Sequence, residues 1–150
     1  MRTYSVGMDI RPLTLHYAVS AQICVDDLAE IAEAGIKTVI CNRPDSEVPA
    51  ELHHAQIRDA AVAAGLEFVV LELTMQTLTP ANIARQHALI EQADGPVLAY
   101  CRTGTRCSVV WALTQVGSMT TNDIMAAATT AGYDLSGLVP TLDQMAKDQG

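Results

Sequence analysis

Short apolar runs alternate with stretches of helical period along the chain, the pattern of strand–helix–strand units in a mostly parallel sheet covered on both faces. Residues 17–19 and the β-branched run Thr38–Cys41 predict strands, and residues 67–71 read as a strand buried on both faces. Pro96 cannot donate to a ladder, so a further strand begins after it, at Val97–Tyr100. Between the strands, residues 25–34 predict a helix opened by Asp26 and Asp27 and closed by Gly35; residues 50–64 predict another, stopped by Gly65. Thr79 supplies an N-cap hydroxyl with Pro80 at the first helical position of a helix running to about residue 93. Residues 107–116, with an apolar stripe at Val109, Val110, Leu113 and Val116, 121–131 and 141–147 complete the set. The predicted fold class is α/β: one domain of three α/β/α layers around a central, mostly parallel sheet of four to five strands.

Composition narrows the function. A 150-residue chain with 49% hydrophobic and 17% charged residues is an ordinary globular domain, able to bury roughly 70% of its unfolded surface without a disulfide or structural metal. A net charge of −8 has the wrong sign for gripping a phosphate backbone, and the aromatics (Tyr4, Tyr17, Phe68, Tyr100, Trp111, Tyr133) are scattered singly, so no nucleic-acid partner is expected. No run approaches the ~18 apolar residues of a membrane span, and residues 1–7 lack the apolar core of a signal peptide, which makes the cytoplasm the expected location. Cys24, Cys41, Cys101 and Cys107 form no Cys-x-x-Cys pair and do not combine with His16, His53, His54 and His87 at zinc-finger spacing. Reduced thiols, and no metal or other cofactor, are expected. His53 and His54, neighbours within a predicted helix, cannot turn to one metal from one helical side and read as surface residues.

The chemistry concentrates in Cys101-Arg102-Thr103-Gly104-Thr105-Arg106. A cysteine at the carboxyl end of a parallel strand sits where open α/β sheets place their ligand crevice. Gly104 permits positive φ and the segment leads straight into a helix, so successive N–H groups can curl into an anion-binding nest. Inside such a ring, beside Arg102 and Arg106, the Cys101 thiol is expected to ionise in roughly the 4–7 range and act as the nucleophile. Arg106 is a fork able to clamp two oxygens of an anion, and Thr103 and Thr105 add hydroxyl donors. A merely buried cysteine would not require two arginines at that spot.

Cys-Arg-Thr-Gly-Thr-Arg after Val97–Tyr100, the stretch 8–13 (Met-Asp-Ile-Arg-Pro-Leu) and the turn 39–45 (Val-Ile-Cys-Asn-Arg-Pro-Asp) resemble the bacterial DUF442 family, the β-lactamase-hydrolase-like protein, phosphatase-like domain. The resemblance runs from about Met8 to about Ala131, leaving residues 1–7 as an extension. It implies a dual-specificity-phosphatase-like fold and, through genetic linkage of the family to persulfide dioxygenase, partners in sulfide oxidation. Tyrosine-phosphatase loops have five residues between cysteine and arginine. Here there are four, Cys107 occupies the phosphatase arginine position, and the Cys-x-x-Gly-x-Arg loop is similar to that of rhodanese-type sulfurtransferases.

Two chemistries therefore compete. A shorter ring suits a single sulfane sulfur better than a tetrahedral phosphoryl group, and the stretch 74–78 holds no carboxylate to protonate a leaving alcohol; the nearest, Glu72, is expected inside the preceding strand. The main expectation is ping-pong sulfur transfer, with Cys101 taking sulfur from thiosulfate or glutathione persulfide and passing the persulfide sulfur to a thiol acceptor. The alternatives are a phosphatase working through a Cys101 phosphocysteine, and a sulfur carrier or anion-binding module without turnover. Arg102 and Arg106 would orient the anion, held by the N–H groups of residues 102–106. Cys107 is a candidate resolving thiol or a small residue packed at the strand ends, Cys41 a candidate for the same crevice or the core, and Arg43 a candidate for the pocket rim or a solvated loop.

Overall fold

The computed structural model describes residues 9–149. The strands are β1 (Arg11–Pro12), β2 (Tyr17–Ser20), β3 (Thr38–Cys41), β4 (Glu67–Val70) and β5 (Val97–Tyr100), in the order β1-β2-β5-β3-β4. All neighbours pair in parallel except β1, which lies antiparallel on β2. The helices are α1 (Leu28–Glu33), α2 (His54–Ala63), α3 (Pro80–Gln92), α4 (Thr105–Thr114), α5 (Thr121–Thr130) and α6 (Val139–Gln149). The predicted architecture is the one found, with differences that have local causes. The short β1 carries no periodic signal. The helix expected over 50–64 breaks at His53, whose extended backbone (φ −61°, ψ 150°) separates a 3-10 turn from α2. β4 is not buried on both faces: it is the outermost strand, and Glu67 lies exposed at its start. Glu72 falls outside β4, in the loop that follows it. Thr79 caps α3 as expected, its hydroxyl accepting the Asn82 N–H at 3.2 Å.

The side-chain period of two along each strand sorts the core into two layers. Ala18, Val39, Cys41, Leu98 and Tyr100 pack with Leu28 and Ile31 of α1 and Ile57 and Ala61 of α2. Tyr17, Val19, Ile40, Val97 and Ala99 face the opposite way, onto α4 and α5. Continuing the alternation beyond Ala99 puts Cys101 on the α4 side. α4 is buried around its whole circumference from Cys107 to Leu113, rather than along one stripe, because it is the central helix of that layer. No helix among the described residues is long and apolar enough to cross a membrane.

Candidate active site

Cys101 follows β5 directly and is 1% exposed. The chain then turns through Gly104, the N-cap of α4, at φ +90°. Any other residue there would carry the left-handed strain of about 1–3 kcal/mol, and its Cβ would collide with the Tyr133 hydroxyl. This turn brings the Gly104 N–H to 3.2 Å from the Cys101 sulfur, with the N–H groups of Thr103 and Cys107 converging on the same atom. The Cys107 thiol beside it is the largest influence on the sulfur. Together with the three amides it outweighs burial and brings the Cys101 thiol down from 9.0 to about 5. Cys107 moves the other way: burial pushes its thiol well up, and donation to Cys101 keeps its proton in place. At neutral pH the pair is one thiolate and one thiol.

The ring differs from the expected run of residues 102–106. Arg102 is exposed, and its carbonyl accepts the Gln22 N–H at 3.3 Å. The Thr105 N–H meets the Thr103 hydroxyl at 3.3 Å, and that hydroxyl donates to the Thr105 hydroxyl at 3.0 Å, so the two threonines brace the loop from outside. Arg106 donates to the Leu73 carbonyl at 3.0 Å and to the Glu47 carboxylate at 3.2 Å. Arg43 donates to the same Glu47 oxygen at 3.1 Å and to the Gln22 amide oxygen Oε1 at 3.1 Å, so it ties the β3 turn to the site through Glu47. Burial opposes ionisation of Glu47, but the two arginines prevail and hold it below the usual carboxylate range. Cys41 lies on the other face of the sheet, its thiol donating to the Arg43 carbonyl at 3.3 Å, and burial pushes that thiol up.

Several supporting residues carry no local sequence signal. Glu47 is one. The Tyr133 hydroxyl donates to the Thr103 carbonyl at 3.0 Å, and the buried Ser108 hydroxyl donates to the Gly104 carbonyl at 2.8 Å. Beneath the loop, Asn42 and Gln86 exchange amide hydrogen bonds at 3.0 Å each way, Asn42 also donates to the Leu71 carbonyl, and Gln86 donates to the Tyr17 hydroxyl. Tyr17 in turn donates to the Cys107 carbonyl at 3.0 Å. Each amide group in this buried set has a partner, so it fixes the floor of the loop without an unsatisfied group.

A cysteine thiolate in an amide nest at the mouth of an α/β sheet, with an arginine braced beside it, defines a phosphatase-like domain. The chain belongs to the family described as "Beta-lactamase hydrolase-like protein, phosphatase-like domain", whose sequence profile matches residues 9–118. A "Beta-lactamase hydrolase-like protein" of Agrobacterium fabrum is 30% identical over 128 residues, covering 84% of this chain and 30% of that protein. The chain thus spans about a third of the length of the curated relatives it matches. A crystal structure from Neisseria meningitidis Z2491, described as a "putative phosphatase", superposes with a TM-score of 0.83 at 38% identity, covering 91% of this chain and 98% of that one. Tk-PTP in its active form shares the fold (TM-score 0.73, 16% identity, 97% and 100% covered).

Proposed function

We propose that this domain is a cysteine-dependent phosphatase rather than the sulfurtransferase its short loop first implies. The observation that carries the reading is the placement of the Cys101 sulfur at the head of a buried helix, 3.2 Å from the Gly104 N–H, in a chain of the phosphatase-like family; the thiol, brought down to about 5, supplies the nucleophile. Family membership and the Neisseria relative support it. In the reaction, the Cys101 thiolate attacks phosphorus and the P–O bond to the leaving group breaks, giving a phosphocysteine and an alkoxide or phenoxide. Water then attacks the phosphocysteine, releasing inorganic phosphate and restoring the thiolate. Arg106 spends two of its five N–H groups on Leu73 and Glu47, leaving others for the phosphoryl oxygens.

Glu47, paired with two arginines, is held ionised and is a poor proton donor to the leaving group. The proposed substrates are therefore aryl phosphates, whose phenoxides leave without a strong general acid, and the rate is expected to fall steeply as the phenol becomes less acidic. One observation favours sulfur transfer as a second reading: four residues, not five, separate Cys101 from Arg106, and Cys107 takes the next place. A side-by-side assay of wild type and Cys101→Ser with an aryl phosphate, thiosulfate and glutathione persulfide tests both. Phosphate release with a trappable phosphocysteine, lost by at least about 10⁴-fold in Cys101→Ser, is the expected result. A one-sulfur mass gain on Cys101 with no phosphate release would overturn the phosphatase reading in favour of the second.

A further inference from the structure

We propose that Asp45, His54 and Glu72 form a binding site for one divalent transition-metal ion of the zinc class, beside the thiolate loop. His54 Nε2 lies 3.0 Å from Asp45 Oδ2 and 3.7 Å from Glu72 Oε2, and the three ligand atoms all fall within 4.8 Å of one another. Ligand bonds of about 2.0–2.2 Å place neighbouring donor atoms roughly 3.0–3.5 Å apart in tetrahedral or octahedral sites, so an ion fits with small side-chain adjustments. The donor set of one imidazole and two carboxylates suits such an ion and balances its charge.

The surroundings already aim these groups. Asp45 Oδ1 accepts the His54 backbone N–H at 2.8 Å, leaving Oδ2 turned to the imidazole, and Glu72 Oε2 accepts the Asp45 backbone N–H at 3.4 Å. A second imidazole points the same way. His53 Nε2 meets the Val48 carbonyl at 3.2 Å, and only a protonated nitrogen bonds a carbonyl. Its other ring nitrogen, His53 Nδ1, lies 3.9 Å from Asp45 Oδ2. A cation there gains a fourth ligand, oriented through its far nitrogen by a backbone carbonyl as metal-bound histidines commonly are. The arrangement exists because His53 is extended: the argument that adjacent helical histidines cannot share a metal fails where the first lies outside the helix.

The position is informative. Glu72 precedes Leu73, whose carbonyl holds Arg106, and Asp45 belongs to the same 3-10 turn as Glu47, which holds the other side of the guanidinium. An ion at this site would tie together the two segments that brace Arg106. The proposal does not depend on which reaction Cys101 performs, and its test needs no turnover. Reduced, metal-free protein is titrated with Zn²⁺ by calorimetry and with Co²⁺ by visible absorption. The expected result is one ion per chain, a Co²⁺ spectrum without a thiolate charge-transfer band, and affinity weakened at least about tenfold by Asp45→Asn, His54→Ala and Glu72→Gln, while Glu51→Gln in the neighbouring turn has no effect. Thermal melts of the metal-free variants check folding; if His54→Ala is unfolded, the half-exposed Glu72→Gln decides. Absence of binding, binding indifferent to these substitutions, or a thiolate band locating the ion at the cysteines would each overturn the site.

Discussion

Cys41 and Cys101 end adjacent parallel strands at almost the same height: Cys41 pairs in register with Tyr100, one residue before Cys101. Both are buried, at 2% and 1% exposure, yet one thiol is pushed up and the other brought down to about 5. Burial alone raises a thiol's pKa, and that is what Cys41 experiences. Cys101 bears the same penalty, but a helix N-terminus, a left-handed glycine turn and a neighbouring thiol aim donors at its sulfur. A strand-end cysteine becomes a nucleophile through what the following loop points at it, not through its depth in the protein.

The comparison can be broken in five ways. The largest effect is expected from Arg106→Ala, which removes the guanidinium that Cys41 never had: kcat/KM on an aryl phosphate should fall by about 10²–10³, and a loss below threefold would remove Arg106 from the proposed mechanism. Alkylation followed by peptide mass mapping at pH 6.5 should modify Cys101 at least about a hundredfold faster than Cys41, the thiolate being the reacting species; equal rates would erase the distinction.

Cys107→Ala should raise the midpoint of the Cys101 alkylation profile from about 5 by roughly 1–2 pH units, the worth of one hydrogen bond to a charge, whereas Cys107→Ser, which keeps a donor, should shift it less. The linked stability has a definite sign. A thiol whose folded value lies below its ordinary 9.0 stabilises the fold fully above pH 9 and loses that contribution as pH falls through about 5. Cys101→Ser should therefore be less stable than wild type in denaturant at pH 8 and approach it at pH 4.5. Smallest is Glu47→Gln, expected to lower kcat/KM by about tenfold with little change in the Cys101 midpoint, because it loosens Arg106 and leaves the amide ring intact.

The strand, the tight loop and the helix around Cys101 were legible in the chain because each depends on neighbours in sequence: β-branched and apolar runs, Pro96, Gly104, and the helical period after it. The role of Cys107 was only half legible. Its place in the first turn of α4 was evident, but its use as a donor to Cys101 depends on how tightly the four-residue turn closes. That the Thr105 N–H turns to the Thr103 hydroxyl rather than to the Cys101 sulfur was not legible either, because it depends on how the loop closes.

By itself the sequence determined an α/β sheet with a cysteine at the carboxyl end of a central strand and a glycine where the loop needs positive φ, since these follow from local periodicity and backbone sterics. Only the tertiary structure decided that Glu47 and the Leu73 carbonyl brace Arg106, that Asn42, Gln86 and Tyr17 form the floor, that Cys41 faces away, and that Asp45, His54 and Glu72 meet. Those contacts join segments tens of residues apart, and they exist only once β3, β4 and β5 lie side by side with their carboxyl ends level.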